Sequence, residues 1–233
     1  MACGYGGWIG SARAFGSTES DEWIKEKILQ WRDASPAIVE FWGGQFRTLP
    51  WAENQVQEYF GVEGCFIQAA LYPGHVFEFR GLQFYTREYP DVGTAVIIRL
   101  PSGRELTYHD VRLVQATRKW ARPGEYAIIY KTWNSNPKYG APGWGDMDTY
   151  GGRLTENIIQ AVAHDILRYA ILALKAAGYP TVLHIYDEIL AEVRKGTGVL
   201  AVFEKIMATM PPWCSWWPIT AAGGWIGQRY RKG

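Results

Sequence analysis

At 233 residues, with 48% hydrophobic and 20% charged side chains, the chain holds enough apolar material for one large domain or two small ones. A net charge of +1 excludes a global electrostatic pull toward nucleic acid, so any such affinity must come from local patches. Cys3, Cys65 and Cys214 are odd in number and lack C-x-x-C spacing, which argues against a disulfide framework or a zinc site. With no signal peptide and no apolar run of about 20 residues, the expected location is a reducing cytoplasm, away from any membrane.

In chain order, residues 1–60 read as helical: a short stub around Tyr5, then a helix from Ser20 to Gln45. A Ser/Asp cap opens that helix and Pro36 breaks it. Its apolar positions Trp23, Ile24, Ile28, Trp31 and Val39 argue packing rather than chemistry. Residues 61–135 read as β-rich, with strands at Phe77–Phe79, Ala95–Leu100 and Tyr126–Tyr130, and a hairpin turn at Pro101-Ser102-Gly103-Arg104. Residues 136–233 read as a helix, a β-hairpin, a second helix from Val199 to Met210, and an aromatic tail ending in the basic run Arg229–Lys232. The fold class is therefore α+β. Most of the twelve tryptophans belong to packing, with a few exposed ones available to stack on bases.

The first helix of that last segment runs from Leu154 to Ala177 and stops at Gly178-Tyr179-Pro180. Ile158, Ile159, Val162, Ile166, Leu167, Ala170, Ile171 and Leu174 recur at helical spacing as a buried stripe. At about 100° per residue, Arg153, Asn157, Gln160, His164, Arg168 and Lys175 share the opposite side. That face carries amides, an imidazole and cations but no acid, the donors and acceptors that meet base edges and phosphates. A solvated face is the alternative. The hairpin Leu183–Val193 follows, with Asp187 and Glu188 at its expected bend, either as a solvated turn or as carboxylates presented to a divalent metal.

These residues carry a resemblance. Thr149–Leu167 resembles the helix before motif C of phage family A DNA polymerases, and Leu183–Val193 resembles motif C itself, where a His-Asp-Glu triplet is usual. Pro211-Pro212-Trp213 and Gly224–Tyr230 are similar to the C-terminus of those enzymes. Ala2–Gly7 resembles the last turn of motif B on the fingers helix, and Trp31–Val39 the helix after it. The likeness is weakest over residues 61–131. It implies fingers-like helices, a β-rich insertion, and the C-terminal part of a polymerase palm.

By that resemblance, Asp187 binds two catalytic Mg²⁺ ions and Glu188 supports them. Tyr5 and Gly6 lie near the nascent base pair. Arg153, Asn157 and Gln160 face primer–template DNA, and His184 and Tyr186 flank the primer end. Bacterial members place one more residue between the two amides, and Tyr186 replaces the usual motif C histidine. The motif A aspartate and the motif B Arg and Lys fall before Met1 in this pattern. The expectation is thus one part of a split DNA-directed DNA polymerase, handling dNTPs on primer–template DNA with a complementary N-terminal polypeptide. If phage-encoded, it would work in the host cytoplasm. The alternative is a non-catalytic primer–template-binding or scaffolding remnant.

Overall fold

A 3-10 turn at Ala2–Tyr5 leads into the short helix α1 (Ile9–Ala14). Ser20 then caps α2 (Asp21–Ala34), its hydroxyl accepting from the Trp23 amide at 3.2 Å, and Asp21 and Glu22 favour the positive end of the helix. Pro36 is the first residue of α3 (Pro36–Trp42), where its missing N–H costs nothing. The computed structural model describes residues 2–47, 55–118, 121–137 and 140–230. The chain divides into two compact units, Met1–Ile159 and Gln160–Gly233.

In the first unit, the helix expected to reach Gln45 ends at Trp42. Gly43 follows with φ +73°, and Gln45 belongs to β1 (Gly44–Arg47), which pairs antiparallel with β2 (Val56–Phe60). The Gln45 side chain is the reason: it accepts from Tyr126 N at 2.7 Å and donates to Tyr126 O at 2.8 Å. A helix, α4 (Gly61–Leu71), occupies the start of the segment expected to be β-rich. Val62, Phe66, Ile67 and Ala69 all fall below 1% exposure, so α4 is buried around its circumference and shows little amphipathic period.

Six strands follow as an antiparallel meander in sequence order: β3 (Phe77–Phe79), β4 (Leu82–Tyr89), β5 (Gly93–Arg99), β6 (Glu105–Gln115), β7 (Tyr126–Asn134) and β8 (Gly143–Thr149). The expected strands correspond to β3, β5 and β7, the second ending at Arg99 rather than Leu100, and Gly103, at φ +86°, turns β5 into β6 as expected. The sheet continues past residue 135, because β8 pairs with β7 from Ile128↔Thr149 to Asn134↔Gly143. Helix α4 packs on β3 to β6. Four successive residues of β5, Ala95 to Ile98, are buried, as in a strand covered on both faces.

Helix α5 (Gly151–Ala176) starts three residues before the expected Leu154. Its opening glycines are required by close approach. A Cβ on Gly151 would lie 2.3 Å from Trp42 O, and one on Gly152 would lie 2.2 Å from Tyr5 O. In the second unit, Gly178 at φ +87° ends the helical run, and β9 (Thr181–Ile185) pairs with β10 (Glu188–Ala191). Helix α6 (Leu200–Met207) is shorter than expected at both ends. Ala170, Leu174 and Ile189 form the buried core here, flanked by Leu167, Ile171, Tyr179, Phe203, Ile206 and Met207.

The hairpin bend differs from the expectation by one residue. Ile185 pairs with Glu188, so the two-residue loop is Tyr186-Asp187 and Glu188 already opens β10. Tyr186 takes the left-handed conformation, φ +52°, that such short loops demand at their first position. Among the described residues, no helix is long and apolar enough to cross a membrane.

Candidate nucleic-acid interface and carboxylate hairpin

In the first unit the Tyr5 turn is tied down through its carbonyls. Trp42 Nε1 donates to Gly4 O at 2.8 Å, the Tyr150 hydroxyl to Tyr5 O at 3.5 Å, and Arg32 Nη2 to Gly6 O and Gly7 O at 3.3 and 3.4 Å. The Arg32 guanidinium sits 4.8 Å from the Trp8 ring and 5.5 Å from the Trp42 ring. Burial lowers its pKa from the usual arginine value, against nearby Cys3 and Tyr150. Gly6, at φ +74°, lies against the Tyr150 ring, which a Cβ there would meet at 3.2 Å.

The other side of Tyr150 carries Arg153. Its guanidinium lies 5.5 Å from the Tyr150 ring, donates through Nη1 to Asp148 O at 2.6 Å, and approaches the Asp148 carboxylate at 3.6 Å. Tyr5, Gly6 and Arg153 are thereby gathered around one tyrosine, although Tyr5 and Tyr150 are 145 residues apart. One helical turn on, Asn157 is exposed, and its Nδ2 donates to the Tyr108 hydroxyl at 2.9 Å. Tyr108 packs edge-on against Phe66 and Tyr130, and burial pushes its pKa up to about 12, the Asn157 hydrogen bond opposing. A neutral phenol at this position fixes the Asn157 amide.

The start of α5 is anchored by a carboxylate absent from the expected site residues. Glu63 Oε2 accepts from the Gly151 amide at 2.7 Å, and Gln45 Nε2 donates to Oε1 at 3.1 Å. Burial raises the Glu63 pKa, and those two hydrogen bonds partly oppose it. Tyr108, Asp148 and Glu63, outside the matched runs, and Tyr150, within one of them, therefore hold the polar residues. Further along α5, Gln160, His164 and Arg168 are exposed as expected.

His184, Tyr186, Asp187 and Glu188 belong to the second unit, and all four are exposed. Tyr186 is 92% exposed, its ring projecting from the loop. Glu188 Oε2 accepts from the Tyr230 hydroxyl at 3.4 Å. Loss of solvation first, then the Glu188 carboxylate, raises the pKa of that phenol. Among the described residues there is no cluster of three or more His, Cys, Asp or Glu that could hold a metal. Asp187 and Glu188 still suit Mg²⁺, a hard ion that binds through one or two carboxylates and completes its shell with water and phosphate oxygens. Of the basic tail, Arg231 and Lys232 lie outside the described residues.

No family model and no solved structure matches the chain. Over 235 residues it is 31% identical to a DNA polymerase of Bacillus phage SP02, an alignment that covers 100% of this chain and 31% of that protein. The chain thus spans about a third of the length of the curated relative it matches.

Proposed function

We propose that the chain is part of a phage DNA polymerase, as its 31% identity to one over 235 residues supports, and that its residues supply one part of a family A active site. In this reading the first unit holds primer–template DNA and the second carries motif C. The observation that carries the reading is the gathering of Tyr5, Gly6 and Arg153 around Tyr150, which unites two sets that the motifs assign separately to the nascent pair and to the duplex.

Each group has a task its chemistry suits. Tyr5, on a turn pinned by three side chains, offers a rigid aromatic edge to the newly forming pair. Arg153 offers a guanidinium to phosphate, and the clamp at Asp148 limits the rotamers it must give up. Asn157, with one amide hydrogen engaged by Tyr108, keeps its carbonyl and second hydrogen for a base or sugar edge. Gln160, in the second unit, offers a further exposed amide. His184 precedes the acidic loop and Tyr186 opens it, where the phenol can donate to the primer end as the usual imidazole does.

Asp187 and Glu188 would hold Mg²⁺, which when bound neutralises charge developing on the phosphoryl group and the primer 3′-oxygen. Two adjacent carboxylates do not complete a two-ion centre. The further carboxylate, and the cations that grip the triphosphate, come from polypeptide outside these 233 residues, in the same chain or in another.

Primer extension in Mg²⁺ tests this. The 233-residue chain alone should incorporate dNTPs at background, and addition of a polypeptide bearing motifs A and B should restore template-directed synthesis. Robust synthesis by the chain alone contradicts the shared active site. Tight primer–template binding with no synthesis under either condition favours a binding module without chemistry.

A further inference from the structure

The outer face of β6–β8 carries a row of rings that the motifs do not explain. Tyr89 and His109 stand 5.7 Å apart, His109 and Trp144 6.2 Å, and Trp144 and Trp133 6.0 Å, all strongly inclined to one another. Trp133 and Trp144 are direct cross-strand partners, and such pairing stabilises a hairpin. Pairing does not account for their exposure, 55% and 63%.

Trp144 also borders two hollows. One, of about 500 Å³, is lined by Asp91, Val92, Gly93, His109, Asp110 and Lys131 as well. The other, of about 280 Å³, is lined by Thr132, Asn134, Gly143, Gly145 and Met147 as well as Trp144, with Thr132 and Asn134 alternating to the face opposite Trp133 and Trp144. Two further observations mark the larger hollow. Asp110 sits at φ +47°, where the β6–β7 register slips between His109 and Arg112, and such bulges re-aim side chains. His109 Nδ1 is buried and makes no hydrogen bond among the described residues.

We propose that this surface is a stacking site for unpaired nucleobases, and that its occupant is single-stranded template next to the duplex. The inference rests on the polymerase reading given above. An exposed indole beside an open hollow, with imidazole, carboxylate and ammonium groups at the rim, suits a flat heterocycle with a polar edge. The surface is also continuous with the proposed duplex face. Along β8 the exposed residues alternate as Trp144, Asp146 and Asp148, and the Asp148 carbonyl holds Arg153. At about 3.3 Å per residue, Trp144 lies roughly 13 Å from Asp148 along the strand.

Charge selects the mode of binding. Lys131 pairs with Asp110 at 3.5 Å, and Arg112 pairs with Asp146 at 2.6 Å, so little free positive charge remains for phosphates. Stacking carries the affinity, and it should depend weakly on salt.

The test is a binding titration of the 233-residue chain with a blunt duplex and with the same duplex bearing a 5′ overhang of about ten nucleotides. The overhang should tighten binding by about tenfold or more, nearly independently of salt. Trp144→Leu, which keeps apolar bulk, should abolish that gain without changing blunt-duplex affinity, whereas Trp144→Phe should retain most of it. Duplex binding with no overhang gain, or a full gain in Trp144→Leu, overturns the inference and leaves the proposed function standing. Failure to bind either DNA overturns both.

Discussion

The six-stranded sheet and the carboxylate hairpin are both antiparallel, yet they are held in place by different means. In the sheet, Ala95 to Ile98 of β5 are buried, Phe84 of β4 is 0% exposed, and α4 covers the strands. In the hairpin, Val182, Leu183 and Tyr186 are exposed, and Ile189 is the one buried residue of β9 and β10. A rigid platform for a polymer ligand can be made by burial throughout. Under the proposed function the acidic loop meets solvent, metal and phosphate and cannot bury its neighbours; its position depends on one anchor in the Ala170–Leu174 core.

Removing packing from each region should therefore have unequal results. Phe84→Ala deletes a fully buried ring and should destabilise the first unit by about 3–5 kcal/mol, read as a lower denaturant midpoint. Ile189→Ala should cost less, about 2 kcal/mol, because its core holds only Ala170 and Leu174 as fully buried partners and is otherwise flanked by partly buried side chains. Its clearer signature is faster amide exchange through β9 and β10 with exchange in the sheet unchanged. Equal acceleration in both regions would remove the distinction.

The carboxylates sharpen the same contrast. Asp187 and Glu188 are exposed, whereas Glu63 is buried under the α5 N-terminus with its pKa raised chiefly by burial. A folded-state pKa above the unfolded value gives stability that is complete below the unfolded pKa and is lost as pH rises through the folded one. Wild type should therefore lose Tm relative to Glu63→Gln as pH climbs from the carboxylate range toward neutrality. A constant difference between the two would show that Glu63 does not titrate in this window. This is the smallest of the expected effects, since the Gly151 and Gln45 hydrogen bonds oppose burial.

Much of the helical structure was legible locally. Ser20 as a cap, Pro36 as a break and Gly178 as a stop act through their own backbone chemistry, and each operates where expected. Helix α4 was not legible, because a helix buried all round has no polar face to set its period. Strands β4, β6 and β8 were missed for the converse reason: their charged residues, and the Gly-Asp content of β8, depart from β propensity, and only pairing decides them. The bend moved by one residue because Tyr186 accepts a positive φ that its side chain does not advertise. The polar face and the carboxylate pair could be read from residue type and spacing. Their supports could not, because Tyr150–Tyr5 and Tyr108–Asn157 join residues 145 and 49 positions apart.

The proposed assignment of DNA binding to Arg153 and of metal chemistry to Asp187 is tested most directly by single-turnover nucleotide incorporation beside a primer–template titration, for Asp187→Asn and Arg153→Ala in the reconstituted enzyme. Asp187→Asn keeps the size of the side chain and removes its charge, so the rate should fall by several orders of magnitude while DNA affinity holds or rises. Arg153→Ala should instead weaken DNA binding by about tenfold, with the rate at saturating DNA little changed. Near-normal turnover by Asp187→Asn would contradict the assignment and leave the hairpin an ordinary solvated turn.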